Sequence, residues 1–134
     1  MATRRLIMSN FKDTQAFLCK MKVHMADRPT RLRSELSLAR AKHIQEELDE
    51  FIAAVEAKDL HGQVDALIDM SYLLLGTANM MGLDEHKWQA CWDRVHRCNM
   101  QKHLVKDKQC EHKLGATKPS DWVAPDFSNV LGAE

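Results

Sequence analysis

A segment at about 63–81, apolar on nearly every side yet interrupted by two aspartates, constrains the fold of this chain more than any other feature. Wound as a helix at about 100° per residue, it leaves only one narrow strip that is not aliphatic. That strip consists of Asp65, Asp69, Tyr72 and Gly76. Ionised carboxylates in so apolar a helix are costly unless a positive group meets them, and this part of the sequence has too few cations to pair with every acid. We therefore predict a buried helix whose aspartates meet a divalent metal ion.

The composition also favours helices elsewhere, because valine, isoleucine and threonine are sparse beside leucine, alanine, methionine, glutamate and lysine. The predicted helices span about 13–25, 32–57, 63–81 and 84–100, and an extended tail follows over 106–134. Gly82 is expected to end the third helix. The length of 134 residues fits one domain over 1–134, and a helical protein this short often completes its core by pairing with its own copies. The expected fold is an all-α bundle of four to five helices that is completed by homo-oligomerisation.

The balance of charges argues against large anionic partners. Lysine plus arginine and aspartate plus glutamate number 19 each, so no overall field recruits a nucleic acid polymer or an anionic membrane. No apolar run approaches the roughly 20 residues that are needed to cross a bilayer. The four cysteines include no CxxC pair, and the N-terminal segment lacks the apolar stretch of a secretory signal. We expect a cytoplasmic protein with free thiols that binds neither nucleic acid polymers nor membranes.

The predicted second helix carries acids along the border of an apolar stripe. The stripe, which we expect to face the core, consists of Ile44, Leu48, Phe51, Ile52 and Val55. Glu47 lies at its edge and Glu50 one step beyond, whereas Glu46 is further round the helix. Magnesium favours oxygen ligands and usually keeps water and substrate phosphate in its coordination shell, so acids from two facing helices suit it. For this acidic string alone, a solvated helix surface is the alternative.

The order of motifs resembles a known family. An EExxE string, a short turn and then DxxxDxxYxxxGTA are similar to the all-α nucleoside triphosphate pyrophosphohydrolases, the group of MazG, dimeric dUTPase and phosphoribosyl-ATP pyrophosphohydrolase. These motifs lie at Glu46–Glu50, Asp65–Tyr72 and Gly76–Ala78. Further likeness, to short phage-type, MazZ-like members above all, lies in Gly82–Asp84, in Val95–Lys102 and in Lys118, Pro119, Trp122, Pro125 and Asp126.

The resemblance implies a reaction as well as a MazG-like helical fold. Water would attack the α-phosphorus of a nucleoside triphosphate, with magnesium or manganese bound, and the products would be the monophosphate and pyrophosphate. The enzyme would act as a homodimer or homotetramer. Similarity to the phage-type members favours a purine deoxynucleoside triphosphate such as dGTP as substrate, and the host cytoplasm as the location if the protein is phage-encoded.

The same resemblance assigns roles to individual acids. Glu47 and Glu50 correspond to the two acids of the ExxE motif, and Asp69 corresponds to the final acid of ExxD. Ala66 stands where the first acid of ExxD is expected. Asp65, beside this gap, or Glu46 is expected to take its place. The predicted metal ligands are thus Glu46, Glu47, Glu50, Asp65 and Asp69, with Glu47 or Glu50 as the base that activates water.

Residues near the end of the chain are candidates for holding the nucleotide. Asn99 and Lys102 lie three apart at the end of the fourth helix, where an amide and an ammonium can grip phosphate oxygens. Alone, this pattern is more typical of a helix end with a cation that suits the helix dipole, and the resemblance shifts the interpretation to phosphate binding. Lys118 and Trp122 either close over the phosphates and the base or anchor the tail in an apolar notch. Tyr72 and Trp122 are the possible contacts of the base or sugar.

Two other functions compete with hydrolysis of a nucleotide. Zinc bound by Cys98, His103, Cys110 and His112 is one, although their spacing differs from that of structural zinc sites. A non-catalytic interaction or regulatory module, which kept the fold and lost the chemistry at Ala66, is the other. Release of pyrophosphate from a panel of nucleotides discriminates the enzyme from this module, and the zinc content of the purified protein tests the zinc alternative.

Overall fold

A computed structural model of the chain describes residues 9–104 and 116–132. The helices in this part of the chain are α1 (Asn10–Lys20), α2 (Ser34–Glu56), α3 (Leu60–Met80), α4 (Glu85–Met100) and α5 (Ser128–Leu131). Two short strands, β1 (His103–Leu104) and β2 (Ala116–Thr117), pair antiparallel, with His103 opposite Thr117. Strands of two residues add little to a structure that is mainly helical. The predicted all-α class is therefore confirmed, while oligomerisation stays a prediction.

The four long helices lie close to their predicted positions, and local caps explain where they begin and end. The Ser9 hydroxyl accepts a hydrogen bond from the Lys12 amide at 3.2 Å, which starts α1 earlier than the prediction. Lys22 has a left-handed φ of 56°, so α1 ends at Lys20 rather than near 25. The Asp59 carboxylate accepts from the Gly62 amide at 3.0 Å and sets the start of α3.

Gly82 ends α3 as predicted, and its surroundings admit only glycine. Its φ is +82°, and a Cβ at this position would collide with the carbonyl oxygen of Arg28. The Thr30 amide donates to the Met81 carbonyl at 2.8 Å, so the segment before α2 is bound to the end of α3. The turn after α3 and the loop before α2 thus fix each other.

The chain divides into two compact units, one up to Glu85 and one from His86 onward. The first contains α1, α2 and α3, and the second contains α4, the strand pair and α5. The single domain over 1–134 with an extended tail stays a prediction. Of that tail, residues 105–115 lie outside the described residues, and the rest includes β2 and α5.

In the first unit, α2 and α3 form an antiparallel hairpin and α1 packs on α3. Arg40, early in α2, donates to Thr77 late in α3, whereas Ala54, late in α2, accepts from Gln63 early in α3. Glu47 is consequently level with Asp69. This pairing places the polar strip of α3 at the edge of the helix contact rather than on an outer surface.

A buried polar pair connects α1 to α3. The Asn79 side-chain amide donates to the Thr14 hydroxyl and to the Leu75 carbonyl, each at 3.0 Å, and the Thr14 hydroxyl donates to the Phe11 carbonyl at 2.8 Å. Thr14 and Asn79 are 1% and 2% exposed. The buried apolar residues of the described part of the chain are Phe11, Leu18, Ala54, Ala66, Ala78 and Met80. Small side chains in the helix contacts let the helices approach closely.

The prediction that the apolar stripe of α2 faces the core is wrong for three of its five residues in the single chain. Leu48, Ile52 and Val55 are 38%, 47% and 46% exposed. The buried residue of α2 is Ala54, because α2 meets α3 along the line of Arg40, Glu47 and Ala54. On α3, likewise, exposed apolar side chains are Val64, Leu67, Ile68 and Leu74. Hydropathy located an apolar face, but α3 does not cover it.

The predictions on membrane-spanning segments and on free thiols can be compared with the described residues. In the part of the chain that the structure describes, no single helix is long and apolar enough to cross a membrane. The thiols of Cys19, Cys91 and Cys98 are free. Cys110 and His112, which the zinc alternative requires, lie outside the described residues.

Candidate functional site

Two carboxylates of the α2–α3 hairpin, those of Glu50 and Asp69, interact with the carboxylate of Glu47. Glu47 and Glu50 lie one turn apart on α2, and Asp69 lies on α3. Partial burial raises the pKa of Glu47, and the nearby carboxylates of Glu50 and Asp69 raise it further, while the charge of His43 opposes them. The structure therefore brings together the three acids that the family motifs single out. We call them the acid trio.

One oxygen of the trio lacks a partner. The Oε2 atom of Glu47 is buried and accepts no hydrogen bond from any residue that the structure describes. An ionised oxygen in such a place is costly unless a positive charge meets it. Hard divalent cations prefer carboxylate oxygens, so the donors of the trio fit a magnesium ion.

The trio is not a closed metal cage. Within residues 9–104 and 116–132, no three His, Cys, Asp or Glu side chains are placed so that they alone could hold a metal ion. Like charges repel one another when no cation lies between them. Magnesium usually keeps several waters and binds substrate phosphates through one or two carboxylates, so it does not need a protein cage.

Ala66 marks the missing fourth acid, and its side chain fills the helix contact. It is 1% exposed and lies one turn before Asp69 on α3. Asp65 and Glu46, the two proposed substitutes, are both exposed, and neither is among the groups that shift the pKa of Glu47. Their roles as metal ligands stay predictions.

Arg40, in the contact between α2 and α3, is a residue that sequence reasoning missed. Its Nε donates to the Thr77 hydroxyl at 3.0 Å and its Nη2 donates to the Leu73 carbonyl at 2.9 Å. The guanidinium is half-buried, and this burial lowers its pKa. A Cβ at Gly76 would lie 3.1 Å from Nη2, so glycine leaves room for the guanidinium. A cation two turns before the ExxE acids was the available signal in the sequence.

An aromatic pair lies one turn further along α3. The rings of Phe17 and Tyr72 meet edge to face, with 5.6 Å between centroids and 76° between planes. They are 44% and 37% exposed. Because Tyr72 follows Asp69 by one helical turn, a partly exposed ring lies beside the acid trio. Its contact with a base or sugar stays a prediction.

The profile of the phosphoribosyl-ATP pyrophosphohydrolase family matches residues 15–99. The chain belongs to this family. The matched segment includes all of α2 and α3, and with them the acid trio and Arg40. The resemblance to MazG-like nucleoside triphosphate pyrophosphohydrolases is confirmed, and pyrophosphohydrolysis of a nucleotide is the activity of the family. A comparison with curated proteins finds no significant match.

At the end of the segment matched to the pyrophosphohydrolase family and beyond it, the second unit brings together the predicted phosphate and base contacts. The Lys118 and Lys102 Nζ atoms lie 4.3 and 5.7 Å from the centroid of the Trp122 ring. Lys102 also donates to the Asn99 side-chain oxygen at 2.9 Å. The Trp122 indole donates to the Cys98 carbonyl at 2.8 Å, so it anchors the tail to the end of α4. Binding of phosphate by Asn99, Lys102 and Lys118 stays a prediction.

Proposed function

We propose that this pyrophosphohydrolase splits a nucleoside triphosphate into the monophosphate and pyrophosphate, with magnesium held by Glu47, Glu50 and Asp69. The observation that carries the proposal is the buried Oε2 atom of Glu47, unpartnered among the described residues and close to two further carboxylates. Manganese, which accepts the same oxygen ligands, is expected to substitute. Glu46 and Asp65, at the rim, are the candidates for one further ligand.

The reaction follows from the roles of these carboxylates. Magnesium held by these carboxylates would neutralise charge on the phosphate oxygens. Glu50, the exposed acid of the α2 pair, accepts a proton from water while the water oxygen bonds to the α-phosphorus. The bond from the α-phosphorus to the oxygen that bridges to the β-phosphorus breaks, and pyrophosphate leaves. The partly buried Glu47 lies beside Glu50 and would serve as a metal ligand there.

The substrate that we propose is a purine deoxynucleoside triphosphate such as dGTP. Support comes from the likeness to short phage-type members in the motifs at 82–84, 95–102 and 118–126. The exposed ring of Tyr72, one turn from Asp69, gives a base or sugar an aromatic surface near the acids. Ranking kcat/KM over the eight common nucleoside and deoxynucleoside triphosphates tests this choice, and a preference for pyrimidines would contradict it.

Pyrophosphate release with magnesium or manganese tests the reaction itself. Glu50→Gln should lower kcat at least about 100-fold, as loss of a general base does, with an unchanged circular dichroism spectrum. Asp49→Asn is the matched control, because Asp49 is an exposed neighbour of Glu50 whose carboxylate accepts a hydrogen bond from the Gln45 side chain at 2.9 Å. Absence of release from every nucleotide, at high enzyme concentration and with either metal, would favour the non-catalytic module.

We further propose that the protein is a homodimer or homotetramer. Helical winding places Leu48, Ile52 and Val55 of α2 on the same side of the hairpin as Leu67 and Leu74 of α3, opposite the side that α1 covers. We call these residues the outer apolar face; all are 38–50% exposed in the single chain. Monomeric proteins rarely expose a contiguous apolar face of this kind. Two hairpins joined by these faces would form a four-helix bundle.

A further inference from the structure

Arg40 holds a positive charge in the α2–α3 contact without an anionic partner. Both of its hydrogen bonds go to neutral oxygens, on Thr77 and Leu73, and among the residues that the structure describes no carboxylate pairs with it. A buried or half-buried guanidinium is normally paired, because loss of water around a charge is costly. A guanidinium has five N–H groups, so these two bonds leave donors for a ligand.

The position of Arg40 relates it to the acid trio. Seven residues, or two turns, separate Arg40 from Glu47 on α2, so both lie on the side that meets α3. The rise between them is about 10 Å. Both hydrogen bonds of Arg40 go to neutral oxygens, and two turns separate it from Glu47, so the two side chains do not form an ion pair. The α2–α3 contact therefore has negative charge at the trio and positive charge two turns away.

A polyphosphate bound to a divalent cation complements these charges, because it is positive at the cation and negative at the outer phosphates. Its cation suits the carboxylates, and its outer phosphates suit a guanidinium, which binds phosphate oxygens in a bidentate manner. Arg40 is also preorganised, since Thr77 and Leu73 hold two edges of the guanidinium and Gly76 leaves it space.

We infer that Arg40 binds the β- and γ-phosphates of the nucleotide, the part that leaves as pyrophosphate. This inference rests on the proposed function. The positive charge of Arg40 offsets the negative charge that develops on the leaving group, and the fixed orientation of its guanidinium sets how far the triphosphate extends from the acid trio. The rival role is purely structural, a clamp between α2 and α3.

Binding of inorganic tripolyphosphate to the full chain, measured by calorimetry, separates these roles. Arg40→Gln should weaken binding at least about tenfold, the range expected when a charge-assisted hydrogen bond is lost. Binding of a nucleoside monophosphate, which lacks the leaving group, should change less than about twofold. Lys42→Gln is the matched control, because it removes an exposed cation of α2 that helical winding turns away from α3. It should bind tripolyphosphate almost as wild type does.

Unchanged binding in Arg40→Gln would establish the clamp and overturn the inference. Equal weakening by Arg40→Gln and Lys42→Gln would show that binding follows the overall charge of α2, and it would overturn the inference as well. If Arg40→Gln does not fold, Arg40→Lys replaces it, and this variant should bind tripolyphosphate more weakly than Lys42→Gln does. If wild type hydrolyses a nucleotide and Arg40→Gln does so with an unchanged KM, the inference about Arg40 is overturned and the proposed reaction stands. Tripolyphosphate binding that depends on Arg40, without hydrolysis of any nucleotide, would overturn the proposed reaction alone.

Discussion

Glu47 is a destabilising residue in the metal-free chain. Its carboxyl is partly buried beside Glu50 and Asp69, and these surroundings raise its pKa above the ordinary value of 4.5. The folded protein therefore binds a proton more tightly at this site than the unfolded chain does. Between pH 4.5 and the raised pKa, the free energy of unfolding falls as pH rises. Above the raised pKa, it stays lower by the full cost of ionising Glu47 in the folded state.

Substitution of Glu47 should accordingly stabilise the metal-free protein. Glu47→Gln is expected to raise Tm at neutral pH in the presence of a chelator, because the amide needs no counter-charge. The difference from wild type should shrink as pH falls through the raised pKa, where wild-type Glu47 is itself protonated. Thermal melts from pH 4 to 8 test this, with Asp49→Asn as the control. A lower Tm for Glu47→Gln at neutral pH would contradict the prediction.

Ala66 offers a second test at the scale of one residue. Because it is buried in the helix contact, Ala66→Glu should lower the free energy of unfolding of the metal-free protein by about 3 kcal/mol or more. Added magnesium should recover part of the loss, since a fourth acid would then meet a cation. Ala66→Gln has a similar size without the charge, so magnesium should recover little there. Equal recovery in both variants would show that Ala66 lies away from the metal.

At the scale of helices, the helical periodicity of the sequence could predict where the helices lie and how side chains are spaced along them. It could not predict which helix packs against which face. Glu47, Glu50 and Asp69 follow from helical periodicity together with the family motifs, and the structure brings them together. The outward position of Leu48 and Ile52 does not follow, because hydropathy marks a face as apolar without saying which helix covers it. Arg40 was missed for the same reason: its partners, Thr77 and Leu73, lie more than thirty residues away in sequence.

The junction of α1 with α3 depends on a hydrogen bond that a nearly isosteric substitution removes. Thr14→Val keeps the shape of the side chain but removes the hydroxyl that accepts from Asn79 at 3.0 Å. The expected loss is about 1–3 kcal/mol in the free energy of unfolding, the cost of a buried donor with a lost partner. Urea denaturation measures it. Ser71→Ala, at an exposed hydroxyl on α3, should change stability by less than about 0.5 kcal/mol, and equal losses would contradict the assignment.

At the scale of the whole molecule, the small core and the outer apolar face are the two features from which we expect stability to depend on assembly. Few side chains are buried within the first unit, while Ile52, Leu67 and Leu74 keep about half of their surface exposed. Contact between two such faces would remove apolar surface from water at about 25 cal/mol per Å². Folding and assembly should therefore be coupled, and Tm should rise with protein concentration.

A charge placed on the outer apolar face should dissociate the assembly. Ile52→Lys and Leu67→Lys are expected to give the mass of a single chain in sedimentation velocity, because a lysine cannot be desolvated against a second copy of that face. Ala39→Lys, at an exposed position on the other side of α2, should keep the mass of wild type. Wild type that sediments as a single chain at every concentration would contradict the proposed oligomer. The acid trio lies on the opposite side of the hairpin, so dissociation and loss of pyrophosphate release can be scored separately in each variant.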